Sequence, residues 1–446
     1  MVKVITYGTY DLLHQGHINL LRRAKALGDY LIVGVTSDSF DRDRGKLNVR
    51  NNVLERVEAV KATGYVDEVI IEDYVGQKID DIQKYDVDIF AIGSDWEGKF
   101  DYLKEYCQVV YLSRTEGISS TQLREESQVV YNVGMVGTGR IARRFIPESK
   151  VVSGIEVTAV MNPDEREALR FASEFGLEPY MDYDSFLHDV DAVYIATPHH
   201  THYHYAKEAL LAGKHVLCEI PMALSGAEAR DLYALAEARN LVLLEASKTA
   251  FCPAFNHLVT LVKSGIVGDV VDVKASLSKM VEPPIRELDP LQAGGAMNEH
   301  ASLTLLPLVK ILGKNYTQVV FHSKMVGGVD IFTKADVNYP HATASVTLGI
   351  GVKTEGNLVI SGTKGYIYVP APWWLTDFFE VRYENMTLNK KYFYSYDGDG
   401  LRYEIQEFIA MIANGRRNSY KLRCDESVTI AEILEKYHNK ENYTEI

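Results

Sequence analysis

Gly8-Thr9-Tyr10-Asp11-Leu12-Leu13-His14-Gln15-Gly16-His17, entered from the apolar run at residues 2–7, decides how the chain folds. An apolar strand that runs into a glycine-bearing turn and then an amphipathic helix opens an α/β nucleotide-binding unit. The two histidines stand three residues apart at the helix start, so both imidazoles can reach one polyphosphate. A helix N-terminus adds free backbone N–H groups and a dipole that favours anions. Nucleotidyl transfer asks for such a place. It needs donors on the α-phosphate as charge builds there and an attacking oxygen in line, with little covalent help. His14 and His17 are therefore the candidate catalytic pair.

From Val2 to Leu112 helices alternate with strand-like runs at 30–38, 68–73, 88–95 and 109–114, the pattern of a compact parallel sheet with active-site loops at the C-terminal strand ends. Arg114, followed by Gly117, Ser119, Ser120 and Thr121, supplies one guanidinium and then hydroxyls and amides at a helix opening, a second phosphate cradle. After the polar stretch 124–128 the pattern restarts, with a strand-like run at 129–137 leading into Gly137-Thr138-Gly139-Arg140-Ile141-Ala142. A GxGxxA signature between a strand and a helix is a dinucleotide site, its glycines allowing a tight turn and close approach of a pyrophosphate. The next strand ends at Asn162, where an acid would favour NAD and an arginine NADP. Asp164 and Arg166 pull opposite ways, and the balance tips slightly to NAD. Beyond Phe251 close-set strands separated by turn residues predict a largely antiparallel sheet, closed by helices near 402–413 and 424–437.

The whole chain has 446 residues, 46% hydrophobic and 24% charged, enough for two or three globular domains. A net charge of −14 argues against nucleic acid as a partner. The four cysteines form no CxxC pair, which argues against a disulfide framework or structural zinc and fits a reducing cytosol. No signal-peptide pattern and no run of ~20 apolar residues is present, so a cytoplasmic protein without a membrane span is expected. His199, His200, His202 and His204 match no zinc spacing.

GTYDLLHQGH, GDYLIVGVTSD, YVDEVI, DWEGKFDYLK and VVYLSRTEGISST together closely resemble the glycerol-3-phosphate cytidylyltransferases over residues 1 to 127. That resemblance implies an HxGH-type Rossmann-like fold. It also implies CTP, Mg2+ on the triphosphate and a phosphorylated alcohol, yielding a CDP-alcohol and pyrophosphate. It places Thr9, Lys46, Arg114, Ser119 and Thr121 on phosphates, Asp11 near the metal, and Asp38, Arg56 and Asp95 around the substrate or nucleotide. Gly64 and Ser94 stand where those enzymes carry an arginine and an aspartate, which leaves the acceptor alcohol open.

Residues 130 to 446 resemble the glucose–fructose oxidoreductase and inositol dehydrogenase family through Ala196-Thr197-Pro198-His199 with His202, and through Gly213-Lys214-His215 to Glu219-Ile220-Pro221. The implication is a Rossmann domain over 128–252 and an α+β domain over 253–446, whose sheet carries substrate and dimer contacts and whose last helices can pack back on the Rossmann domain. Gly137, Gly139, Arg140, Ile141, Asn162, Thr197, Pro198, His199, His202 and Glu219 would line the cofactor, NAD(H) or NADP(H). Two family positions depart: Ile220 replaces the usual catalytic lysine, and Leu303 replaces a histidine four residues beyond Glu299. Carbonyl reduction needs a proton donor, and Lys248, Glu299 and His300 are the candidates to replace it. A bifunctional enzyme follows, transferring CMP to a sugar phosphate and reducing its carbonyl, as a homodimer or larger homo-oligomer. The alternative keeps the cytidylyltransferase and makes the second half an inert NAD-binding or dimerisation module.

Overall fold

The computed structural model describes residues 1–446 apart from positions 14, 44–48, 50, 75, 114–128, 284, 395 and 397, with backbone alone at 15, 39, 42, 43 and 95. The chain separates into two compact units, Met1–Gln128 and Val129–Ile446. The division expected at 252/253 is thus one between two sheets inside a single unit.

In the first unit β1 (Lys3–Gly8), β2 (Tyr30–Thr36), β3 (Glu68–Glu72), β4 (Ile89–Gly93) and β5 (Gln108–Leu112) form a parallel sheet in the order β3-β2-β1-β4-β5. Helices α1 (Gln15–Lys25), α2 (Asp38–Asp43), α3 (Val53–Ala62) and α4 (Gln77–Tyr85) lie between the strands in the sequence. Val4, Ile5, Leu31, Ile32, Val33 and Val35 are at most 1% exposed. Such unbroken apolar runs are what a parallel strand covered on both faces requires. The strand order reverses between β1 and β4, and the crevice at that switch point takes the loop Thr9–Leu13. Asn52 caps α3, accepting from the Leu54 and Glu55 amides, while the Glu55 carboxylate accepts from the Asn52 amide. That reciprocal cap fixes where Arg56 begins.

The second unit opens with β6 (Tyr131–Val136), β7 (Ile155–Met161), β8 (Glu178–Tyr180), β9 (Ala192–Ile195), β10 (His215–Glu219) and β11 (Leu243–Ala246), all parallel in the order β8-β7-β6-β9-β10-β11. Its switch point lies between β6 and β9. Along this half run α5 (Arg140–Ser149), α6 (Glu165–Phe175), α7 (Tyr183–His188), α8 (His202–Leu211), α9 (Gly226–Ala238), α10 (Lys248–Phe251) and α11 (Pro253–Lys263). A nine-stranded sheet follows, built from β12 (Val270–Ser278), β13 (Gln318–Val326), β14 (Val329–Asn338), β15 (Thr343–Gly349), β16 (Leu358–Gly362), β17 (Gly365–Val369), β18 (Phe378–Tyr383), β19 (Lys390–Phe393) and β20 (Tyr443–Glu445). It is antiparallel except where β12 meets β15 and β13 meets β20.

Helix α12 (Ala296–Leu312) packs on β12, β14 and β15. Trp373 is fully buried and donates its indole N–H to the Ser276 carbonyl at 2.8 Å, a core role and not a ligand platform. Helices α13 (Leu401–Ala413) and α14 (Cys424–His438) return to the Rossmann half. Arg402 of α13 pairs with Glu148 of α5 at 2.7 Å, and on α14 Glu432 pairs with Arg230 while Glu435 accepts from the Gly226 amide. One apolar cluster runs through Val133, Phe145 and Tyr194, the sheet residues Phe321 and Val346, and Phe408 of α13. No helix among the described residues is long and apolar enough to cross a membrane.

Candidate functional site

In the first crevice the loop after β1 puts two non-glycine residues in the left-handed region, Tyr10 (φ 54°) and Leu12 (φ 47°). Backbone strain of this kind collects at functional sites. The Tyr10 ring is buried and stands edge-on to the His17 imidazole, centroids 5.5 Å apart, so it sets the orientation of that histidine. Arg56 is the pin of the site. Its guanidinium, with no exposed surface, donates to the Asn51 carbonyl (2.9 Å), the Thr9 carbonyl (2.7 Å), Asp41 (3.1 Å) and Asp38 (2.6 Å). Asp41 also accepts from the hydroxyls of Thr9 and Thr36, at 2.8 and 2.7 Å. Asp11, 2% exposed, accepts from the Asn51 amide at 2.8 Å.

Arg56 and Asp38 thus tie the loops after β1 and β2 together, and Asp11 fastens the glycine loop to residue 51. His17 stands where the helix α1 opens, as expected. His14, Lys46, Arg114, Ser119, Thr121 and the Asp95 side chain lie outside the described residues.

In the second crevice Gly137 and Gly139 do different things. Gly137 has φ +101°, and a Cβ there would lie 2.6 Å from the Ala196 carbonyl oxygen, so the turn itself requires glycine. Gly139 is extended, and its Cβ would meet only that oxygen at 4.0 Å. No side chain caps α5 at Gly139, so the amides of Arg140 and Ile141 open the helix towards this space. A dinucleotide pyrophosphate fits that cradle. Asn162, at the end of β7, donates to the Thr138 hydroxyl at 2.8 Å, linking the ribose-side strand end to the glycine loop. Asp164 is spent capping α6 through the Arg166 and Glu167 amides.

Across from the glycine loop, the segment preceding α12 and its first turns bring together groups that the sequence does not align. His199 is 7% exposed, its Nδ1 3.3 Å from the Ala293 carbonyl and 3.7 Å from Glu299. Burial holds its pKa well below the ordinary value. Glu299 pairs with Arg286 at 2.8 Å. Burial pushes the Glu299 carboxyl up to about 7 against the pull of that guanidinium. Arg286 Nη1 and His300 Nε2 are buried with no hydrogen-bond partner, and burial lowers His300 to about 4. Arg140 reaches Glu287 at 3.4 Å. Lys279, just past β12, lies in the field of Arg140, Arg144, Glu287 and Glu299. Lys279, Arg286 and Glu287 carry no motif, which is why sequence reasoning missed them.

The model for the cytidylyltransferase-like family matches residues 5–126, and that for the oxidoreductase family with the NAD-binding Rossmann fold matches residues 131–247. Glycerol-3-phosphate cytidylyltransferase of Staphylococcus aureus is 53% identical over 126 residues, 28% of this chain and 95% of that protein. Trans-1,2-dihydrobenzene-1,2-diol dehydrogenase of Oryctolagus cuniculus is 30% identical over 315 residues, 68% of this chain and 95% of that protein. The chain belongs to both families, a cytidylyltransferase joined to an NAD-binding Rossmann oxidoreductase. A 3-ketoreductase from Actinomadura kijaniata, solved with NADP and TDP-benzene, shares the oxidoreductase fold at a TM-score of 0.64 and 23% identity, covering 71% of this chain and 99% of that one.

Within the oxidoreductase the expected cofactor residues also make contacts inside the protein. His202 is wholly buried, with its ring nitrogens 2.8 Å from the Pro221 and Thr197 carbonyls, so it holds two crevice loops together. Pro198 opens the single turn His199–Thr201, and Thr197 accepts from the Thr201 hydroxyl at 2.8 Å. Glu219 accepts from the Tyr194 hydroxyl and from the Ile220 amide. Lys248 begins α10, two residues after β11 ends, and donates to the Asp399 carbonyl at 3.0 Å. Lys248 and Glu299 therefore sit on separate elements. Among the described residues the cytidylyltransferase and the oxidoreductase hold no cluster of three His, Cys, Asp or Glu suited to a metal.

Proposed function

We propose that this bifunctional enzyme transfers CMP from CTP to a phosphorylated sugar and reduces the sugar carbonyl with NAD(P)H, giving a CDP-alditol for a surface polysaccharide. A ketose phosphate of five or six carbons is the favoured input, because glycerol phosphate would give the oxidoreductase nothing to reduce. In the first step a phosphate oxygen of the sugar attacks the α-phosphorus of CTP, the bond to the β-phosphate breaks, and pyrophosphate leaves with Mg2+. His17, held by Tyr10, stabilises the charge that builds on the α-phosphate.

One observation supports the second step: Arg286 Nη1 and His300 Nε2 are buried without a hydrogen-bond partner, next to the Glu299 carboxyl that Arg286 pairs with, and Lys279 lies in the field of Glu299. Such a set suits a ligand rich in hydroxyls and bearing phosphate. The bound nicotinamide supplies the hydride. Gly139 and the α5 terminus hold the pyrophosphate, Arg286, Glu299 and His300 orient the sugar, and Lys248 gives the alkoxide its proton in place of the family lysine. Asp164 is committed to its cap, which removes the ground for preferring NAD over NADP.

A second reading is favoured by Ile220, Leu303 and the identity to glycerol-3-phosphate cytidylyltransferase. It makes the chain a glycerol-3-phosphate cytidylyltransferase carrying an inert cofactor-binding module. Product analysis after incubation with CTP, Mg2+ and a panel of sugar phosphates, with and without NADH or NADPH, decides between them. A CDP product heavier by two hydrogens only when reduced cofactor is present is expected. CDP-glycerol as the sole product, with no cofactor consumed across the panel, would establish the inert module.

A further inference from the structure

The proposed proton donor is held by a loop that belongs to no motif. Lys248 and Ile220 leave neighbouring parallel strands at the same end of the sheet, since Glu219 of β10 pairs in register with Ala246 of β11. The Lys248 ammonium donates to the Asp399 carbonyl, at 3.0 Å, in the loop that leads into α13. That loop is fastened to α5, the helix that opens at Gly139. Glu148, near the end of α5, is 4% exposed and accepts from the Arg402 amide (3.1 Å), from Arg402 Nε (3.1 Å) and from Nη2 of the same guanidinium (2.7 Å). The Asp399 amide bonds to the same carboxylate. Arg144, one turn earlier on α5, pairs with the Asp399 side chain at 3.7 Å. The loop lies so close to the helix that a Cβ on Gly398 (φ +60°) would run into Glu148.

We propose that Glu148 and Arg402 are positioning residues for the reductase: their pair fixes the Asp399 carbonyl, and that carbonyl aims the Lys248 side chain. The role rests on the reductase reading above, in which Lys248 is the donor. A lysine carries its ammonium on a flexible stem, so without a fixed acceptor the charge has no single position. A backbone carbonyl supplies that acceptor without adding a counter-charge. The carbonyl in turn needs a rigid seat, and two N–H···O bonds from one planar guanidinium set both its distance and its angle. Glu148 spends its lone pairs on this loop, on the Arg402 side chain, the Arg402 amide and the Asp399 amide. The helix that opens at the glycine loop thus ends on the residue that seats the donor, and the cofactor cradle and the donor share one rigid element.

The test compares the full chain with Arg402→Lys, which keeps the charge and loses the fork. Trace labelling with acetic anhydride, read lysine by lysine by mass spectrometry, should modify Lys248 roughly two- to tenfold faster in the variant, the worth of one hydrogen bond, with the other lysines unchanged. With D-ribulose 5-phosphate, CTP and Mg2+ as probe, kcat for NADH oxidation should fall by roughly 10–10², the scale of a displaced reacting group, while KM for NADH and the rate of pyrophosphate release hold. Labelling of Lys248 at the parent's rate would mean that the loop does not hold the side chain and would overturn the inference. Faster labelling with kcat unchanged would overturn the positioning role. A parent that never oxidises NADH, in which Lys248 is nonetheless freed by Arg402→Lys, would defeat the reductase reading and the positioning role with it, while the hold on Lys248 stands. Should Arg402→Lys fail to fold because it leaves a buried carboxylate half paired, Glu148→Gln keeps the shape without that charge, and the same outcomes are expected of it.

Discussion

The two switch-point crevices are built on the same plan, a parallel sheet whose strand order reverses beside a glycine-bearing loop, yet they spend their charges in opposite ways. In the cytidylyltransferase every guanidinium nitrogen of Arg56 donates inside the protein, to Thr9, Asn51, Asp38 and Asp41. In the oxidoreductase Arg286 keeps a buried donor open, His300 Nε2 is buried without a partner, and burial pushes the Glu299 carboxyl up to about 7. A pinned loop makes geometry for a fixed reaction whose helpers are a helix terminus and imidazoles. Open valences make a site that only its ligand completes. The sequence differs in the same direction: the first crevice keeps His14 and His17 of its family pattern, although Gly64 and Ser94 depart from it, and the second carries Ile220 and Leu303 where its family pattern has a lysine and a histidine.

The sharpest way to break this contrast is a mirrored pair of substitutions. Lys248→Met should slow reduction by roughly 10²–10⁴ while NADH still binds, and His17→Ala should slow pyrophosphate release by about 10²–10³ while leaving NADH binding alone. Loss of both activities in either folded variant, measured by coupled pyrophosphate and NADH assays, would show that the two sites are not independent. Next in size is the pin. Arg56→Ala strands Asp41 in the core without its cation, and thermal unfolding should report a loss of about 3–5 kcal/mol confined to the first unit. A neutral outcome would mean that Arg56 is not holding the loops.

Two glycines separate structure from ligand space in the second crevice. A Cβ at Gly139 has room in the protein, so the melting temperature of Gly139→Ala should stay with the parent while NADH affinity falls at least about tenfold, as the side chain takes the pyrophosphate's room. Gly137→Ala, with φ +101° and the Ala196 oxygen 2.6 Å from the new Cβ, should lower the melting temperature as well. Equal behaviour of the two variants would erase the distinction. The smallest effect is titration. Glu299 holds its proton to about 7 in the fold against an ordinary 4.5. Raising pH from 4.5 through 7 therefore releases the proton first from the unfolded chain, and stability declines across that window. In Glu299→Gln that part of the decline should vanish, read as a flatter difference in melting temperature against pH.

The sequence carried the architecture well because both glycine loops sit between a strand and a helix, where periodicity changes from two to 3.6 and leaves a local mark. The histidines of the first loop and the GxGxxA turn were visible for the same reason. What stayed hidden was assembled across distance. Arg56 looks like an ordinary basic residue on a helix, and only the folded sheet brings Thr9 and Asp41 to it. Lys279 and Arg286 come from a strand end and a single turn, with no spacing to connect them. His202 belongs to a recognisable motif, and only the fold shows that its ring lies between two carbonyls.

The return of α13 and α14 to the Rossmann half also sets a timetable for synthesis. The first unit has all five of its strands by Leu112 and can collapse while the ribosome is still working on the rest. The nucleotide-binding half of the second unit has no such freedom, because Phe408, Ile405 and Leu434 belong to the same apolar cluster as Val133 and Phe145. At about 5–20 residues per second, that sheet waits many seconds with one face uncovered before its last helices emerge. A nascent chain of this protein is thus half finished in an unequal sense, one enzyme ready and the other dependent on its final stretch.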